Sequence, residues 1–158
     1  MLPRAHNHSK LGFHIGCQLA VLVASLTANP AFTAEFDVKM LNRGSDDQVM
    51  VFEPSAIHAS AGDTVRFLPI DKGHNVGTVP GLLPPDASPF QGKINEEVVV
   101  PFQKPGAYVF KCAPHFGMGM VAVVVVGGTP SNLEAVKHAT LPKKAKDRID
   151  SALAALGL

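Results

Sequence analysis

Ala107-Tyr-Val-Phe-Lys111-Cys112-Ala-Pro-His115-Phe-Gly-Met-Gly-Met120-Val-Ala-Val-Val-Val-Val126 holds two strand-like runs and, between them, a loop dense in soft metal donors. Cys112 offers a thiolate, His115 an imidazole, and Met118 or Met120 a thioether; His74, in a turn rich in glycine and polar residues upstream, adds a second imidazole. Thiolate and thioether favour Cu(I), imidazole accepts either oxidation state, and a His2Cys site with a weak axial Met is the arrangement of one-electron copper centres. A structural zinc site takes four Cys/His ligands, commonly as paired Cys-x-x-Cys or His-x3-His units, and the chain has none of these. A lone His74 reads as a surface histidine and a lone Cys112 as a small buried hydrophobe. At these spacings, around one strand-bounded loop, the joint reading is a site for one copper ion.

Working outward, short β-type runs recur at 36–41, 49–52, 56–59, 64–68, 74–78, 97–102, 107–111 and 120–126, separated by Gly/Pro-rich turns. That spacing predicts an antiparallel β-sandwich. Phe36, Val38 and Met40 alternate with Asp37 and Lys39, the mark of a strand with one face buried. Val121 to Val126 is apolar without interruption, as expected of a strand covered on both faces. Residues 80–93 contain four prolines and no periodicity and read as a long loop.

After Gly127-Gly128 the period changes to helical, with segments at about 131–138 and 142–156. Ser131 and Glu134 match a capping box, and Pro142 suits the first position of the second helix. Ala145, Ile149, Ala152, Leu153 and Leu156 fall on one stripe, which predicts a lid over one sheet face. Lys143, Lys144, Lys146 and Arg148 read as a solvated helix face.

Residues 1–34 have the pattern of a secretory signal: Arg4 and Lys10 without acids, an apolar run from Ile15 to Leu26, then Ala28, Ala31 and Ala34 as alternative cleavage points. The apolar run falls short of the roughly 20 residues that span a bilayer. Cys17 lies near the start of that run instead of following it, unlike a lipidated cysteine. Export leaves one domain at 35–158, with Cys112 as its single cysteine and 12 bases against 13 acids once Arg4 and Lys10 are gone. A lone thiol in an oxidising compartment calls for an occupant, which a metal provides. The near-neutral balance argues against a nucleic-acid binder, and no membrane segment is expected in the mature form.

The pattern His74…Cys112-x-x-His115-x4-Met120 resembles the cupredoxins, the small blue-copper proteins, and within them the pseudoazurins. Phe36–Gly44, Met50-Val-Phe-Glu-Pro54, Gly62–Val65, Asp71-Lys-Gly-His-Asn-Val76, Lys93-Ile-Asn95, Pro105–Tyr108 and the helical tail carry the likeness. A plastocyanin shares the loop spacing but ends at its last strand. The resemblance implies an eight-stranded Greek-key sandwich with two C-terminal helices, and a type 1 copper held by His74, Cys112, His115 and, in preference to Met118, Met120. It also implies that Asn75 ties the two ligand-bearing segments together and donates its N–H to the cysteine sulfur. Met50 is implied to pack beside His115, although plain core filling explains it equally; Pro114 removes one backbone donor from the loop and stiffens it.

The implied function is a periplasmic, monomeric electron carrier, not an enzyme. Its implied partners are copper or haem nitrite reductase, nitrous oxide reductase and cytochromes c. Copper carriage is the alternative, but carriers display open Met/His clusters where this chain has one compact set. A Cys-His thiol enzyme would need an orienting acid or amide beside Cys112 and His115, and none is suggested. A docking surface is expected around the edge of His115, centred on Pro80, Leu82, Pro114 and Met118. Arg43, Lys72, Lys93 and Lys111 would form a positive ring there, with Asp46, Asp47 and Asp86 in outlying turns.

Overall fold

A computed structural model describes residues 33–158. The expected export segment lies outside these residues save for Thr33 and Ala34. The strands are β1 (Glu35–Arg43), β2 (Val49–Glu53), β3 (Ala56–Ala59), β4 (Thr64–Leu68), β5 (Gly77–Thr78), β6 (Val98–Pro101), β7 (Gly106–Lys111) and β8 (Val121–Val126). A 3-10 turn at Phe116–Met118 interrupts the loop between β7 and β8, and α1 (Leu133–Lys137) and α2 (Lys143–Ala155) follow.

Two four-stranded sheets form, in the orders β2-β1-β4-β6 and β3-β8-β7-β5. They are mixed and not purely antiparallel as expected: β1 runs parallel to β4, and β3 parallel to β8. After β2 the chain crosses to the other sheet as β3 and returns as β4 on the far side of β1. Alternation reports which face of a strand is buried and is silent on its direction, so the parallel pairs leave no trace in the period.

The apolar run of β8 is explained by two cores. Ala122, Val124 and Val126 face the space between the sheets, with Tyr108 and Phe110 of β7 and Val38, Met40, Phe52, Val65 and Phe67 opposite. Val121, Val123 and Val125 face outward onto Leu133, Val136, Ala145, Ile149, Ala152 and Leu153, so α2 is the lid that its stripe predicts. Phe110 sits at the centre of the inner core, with ring centroids 5.1 Å from Phe67, 6.1 Å from Phe90 and 6.3 Å from Phe102. Emptying a site of this kind costs about 3–5 kcal/mol, a large part of the roughly 5–15 kcal/mol that holds a domain folded.

Three local expectations are corrected. Ser131 caps nothing: α1 begins after Asn132, whose amide instead accepts from Ala107 N–H at 2.9 Å and donates to Ala107 C=O at 2.8 Å. Pro142 stands at the cap, one residue before the helix, in an extended conformation with ψ 137°. Lys143 and Lys144 do face solvent, and Lys143 and the half-buried Lys146 pair with Asp147 and Asp150, but Arg148 turns inward onto backbone carbonyls.

The first strand is anchored at its start by Asp63, a buried carboxylate that accepts from Ala34 N–H at 2.7 Å and Ser60 N–H at 2.8 Å. These two bonds hold its pKa below the ordinary aspartate value of 3.8. A carboxyl whose folded pKa is depressed stabilises the fold above its unfolded pKa, and that contribution is lost as pH falls through the folded value. Asp63→Asn places an amide NH2 against one of the two donors. It is expected to lower the melting temperature by a few degrees at pH 7 and to converge with wild type in acid, as thermal melts across pH will show.

Candidate metal centre

The loop between β7 and β8 is closed at its neck by Cys112 N–H donating to Met120 C=O at 3.0 Å. Inside it, His115 N–H reaches Cys112 C=O at 3.2 Å, and the N–H groups of Met118 and Met120 both reach His115 C=O, at 3.0 and 3.2 Å. The loop thus carries its own hydrogen-bond scaffold, with Gly119 in the left-handed region at φ 89° to end the 3-10 turn. His74 does not lie on a strand as expected. Its segment pairs with the following loop through Asn95 N–H to His74 C=O and Gly92 N–H to Val76 C=O, both at 2.8 Å, and β5 begins only at Gly77.

These two segments bring three donor atoms together. Cys112 Sγ lies 3.5 Å from His115 Nδ1 and 3.8 Å from His74 Nδ1, and the two Nδ1 atoms are 3.1 Å apart. Among the described residues, no carboxylate joins this cluster of His74, Cys112 and His115. Nε2 of His74 sits 3.0 Å from Asn42 Oδ1, an oxygen that only accepts, so Nε2 carries the hydrogen and Nδ1 presents its lone pair to the centre. Asn42 is in turn set by its own N–H, which donates to Asp71 Oδ2 at 2.6 Å. The run read as a strand stops at Leu41 and gives no hint of this role for Asn42; its partner is 32 positions away.

Burial, with the neighbouring His115 as the second cause, holds the His74 pKa below that of a free imidazole, which keeps the ring neutral and able to ligate. Burial pushes the Cys112 thiol up, opposed by backbone N–H bonds to its sulfur from Asn75 and His115. A protonated thiol in the metal-free protein must therefore surrender its proton on binding. His74, Cys112 and Met120 are each 0% exposed, while His115 is half-buried. Two imidazole nitrogens and a thiolate converging from a buried pocket, with a thioether at the loop's end and no acid, fit a copper ion better than a zinc or an alkaline-earth ion.

Asn75 ties the ligand segments together as expected: its Oδ1 accepts from Ala113 N–H at 2.9 Å, and its Nδ2 donates to Gly92 C=O at 3.0 Å. Pro114 is exposed at the tip of the loop. Met50 packs against the inner core that contains Cys112 and Met120, with its backbone at φ 54°.

Of the expected docking residues, Pro80 and Pro114 are exposed and Met118 is 39% exposed, but Leu82 is corrected: at 5% exposure it belongs to the outer core. Its N–H donates to Val79 C=O, and its C=O accepts from Val109, which draws the side chain under the loop. The positive ring is also less uniform than expected. Arg43 pairs with Asp47 at 3.7 Å and Lys93 with Glu96 at 3.5 Å, whereas Lys111 lies 5.1 Å over the Phe116 ring. Lys72 is exposed, and no carboxylate among the described residues pairs with it.

Residues 38–127 match the copper binding proteins of the plastocyanin/azurin family. The chain is 45% identical over 142 residues to a pseudoazurin from Paracoccus pantotrophus, which covers 90% of this chain and 97% of the relative. The solved pseudoazurin structure from Methylobacterium extorquens matches with a TM-score of 0.73 at 47% identity, over 77% of this chain and 98% of that one. The pseudoazurin structure from Hyphomicrobium denitrificans matches at 0.72 and 43%, over 76% and 96%. Copper is the family's metal, and His74, Cys112, His115 and Met120 form its type 1 site. Because the likeness runs through nearly the whole length of each relative and not through the ligand loop alone, the chain belongs to the pseudoazurins, copper electron carriers of the cupredoxin family.

Proposed function

We propose that the chain is a periplasmic carrier that takes single electrons from a cytochrome c and delivers them to a denitrification reductase, a nitrite or nitrous oxide reductase, through the exposed edge of His115. Bound copper supplies the one-electron Cu(I)/Cu(II) couple. The observation that supports this reading is the burial pattern of the ligands: His74, Cys112 and Met120 are sealed from solvent, and His115 alone is partly open to it. Such a site lets an electron out along a ring while it keeps the ion in, the opposite of what a metal carrier needs. Among the described residues no helix is long and apolar enough to cross a membrane.

The loop's internal hydrogen bonds hold Cys112, His115 and Met120 in place, so the ligand frame changes little with oxidation state. Asn75 and Asn42 carry out the same task for His74 and for the sulfur. Met120, buried at the loop's end, would supply the weak thioether ligand, whose softness would tune the potential. Pro80, Pro114 and Met118 form an apolar centre for docking. Arg43 and Lys93 spend part of their charge on exposed ion pairs, each worth about 0–1 kcal/mol, which leaves Lys72 and Lys111 to steer an acidic partner.

Cys112→Ser is expected to abolish the intense visible thiolate-to-copper absorption while far-UV circular dichroism remains that of the β fold; an unchanged visible spectrum would reassign the ligand. Met120→Gln is expected to lower the reduction potential and Met120→Leu to raise it, as voltammetry will show; constancy in both transfers the axial role to Met118. Lys72→Glu is expected to slow bimolecular electron transfer several-fold at low salt. The difference should vanish once the screening length falls well below the roughly 8 Å of physiological salt. Equal rates at low ionic strength would leave the apolar centre as the whole of the recognition surface.

A further inference from the structure

Arg148, in the second turn of α2, donates to three backbone carbonyls on two other segments. Nη1 reaches Met50 C=O at 2.7 Å and Gly119 C=O at 2.8 Å, and Nη2 reaches Val49 C=O at 3.0 Å. A planar guanidinium presents its donors in a fixed fork, so it joins three acceptors only where their relative positions are held. The helix also presses directly on the ligand loop. A Cβ on Gly119 would stand 3.0 Å from Lys144 C=O and 3.1 Å from Arg148 Cδ, and the residue sits at φ 89°, so both space and backbone demand glycine. On the other side of the fork, Met50 holds a left-handed φ of 54°, which a residue with a side chain seldom adopts.

The Gly119–Met120 peptide is therefore pinned at both ends. Its oxygen accepts from Arg148, and its N–H donates to His115 C=O. This peptide plane, together with the next, whose Met120 C=O accepts from Cys112 N–H, sets where the Met120 side chain departs from the backbone. We propose that Arg148 is a positioning residue for the Met120 thioether, which makes α2 a determinant of the copper potential as well as a lid on the sheet. The proposal rests on the axial role assigned to Met120 above. Without the fork the peptide can rotate and the thioether spends less time within bonding distance. A weaker axial donor stabilises Cu(II) less, and the potential rises.

The test uses the full chain with Arg148→Gln, Arg148→Lys and Ile149→Ala. Ile149 is buried on the same helix in the outer core, so its truncation loosens α2 without touching the fork. Arg148→Gln is expected to raise the potential in the direction of Met120→Leu, with Arg148→Lys in between, while Ile149→Ala lowers the melting temperature and leaves the potential unchanged. In the metal-free protein, hydrogen exchange at the Gly119 and Met120 amides should quicken about tenfold or more in Arg148→Gln, the order expected for loss of a charge-assisted hydrogen bond. The amides of Val123 to Val125 should keep their rates. Lowered stability with unchanged potential and unchanged exchange at Gly119 and Met120 overturns the proposal and leaves Arg148 as a helix anchor. Equal potential shifts in Arg148→Gln and Ile149→Ala overturn it in favour of general helix docking. If Met120→Leu leaves the potential unmoved, the axial reading fails and the link to potential falls with it, while the exchange rates still decide whether Arg148 holds the loop.

Discussion

The hydrogen bond from Cys112 N–H to Met120 C=O closes the ligand loop, and most of the site follows from that closure. It extends the β7–β8 ladder by one step, so the loop leaves the sheet at a defined width and the intervening residues must turn back on themselves. The 3-10 turn, the left-handed Gly119 and the convergence of two N–H groups on His115 C=O are the ways this chain satisfies its backbone within that width. The ligands are consequently held by sheet geometry, and the sheets are held by two apolar cores, the inner of which includes Cys112 and Met120 themselves. An electron carrier benefits from that arrangement, because ordinary apolar packing fixes much of the frame around the ion.

The same hierarchy explains which features were legible in the sequence. The ligands stand out because their chemistry is carried by residue type and spacing within one loop, and β8 stands out because six apolar residues in a row need two covered faces. Asn42 and Arg148 do not, since each acts through a contact with residues dozens of positions away and nothing in its own neighbourhood differs from an ordinary polar strand end or a basic helix face. Arg148 was read with the solvated lysines for that reason. Leu82 failed in the opposite sense: a leucine in a proline-rich loop looks like surface, and only the bonds its backbone makes to Val79 and Val109 draw it under the loop. The β-type run at 74–78 puts His74 at a strand end, yet the backbone partners of its segment come from the loop, Asn95 for His74 and Gly92 for Val76.

Electrostatics follows a similar division between what is local and what is assembled. A count of bases near the ligands gave an even ring, but the structure pairs Arg43 and Lys93 with carboxylates and lays Lys111 on an aromatic face. Charge that matters for a partner at a distance is the part left over after such pairing. On this surface it is concentrated at fewer points than the composition implies.

Asn132 has a consequence beyond the helix it fails to cap. The residues of β7 whose backbone groups point away from β8 are Ala107, Val109 and Lys111, and each has a partner: the Asn132 amide at Ala107, Leu82 and Val79 at Val109, and Gly77 at Lys111. A strand left open along that side would template the addition of another chain, the usual route by which β proteins aggregate. By imitating one residue of a neighbouring strand, the side chain of Asn132 completes a seal that β5, only two residues long, cannot make alone. The sheet that carries the copper loop is thereby protected from self-association along its β7 side without a full strand being spent on it.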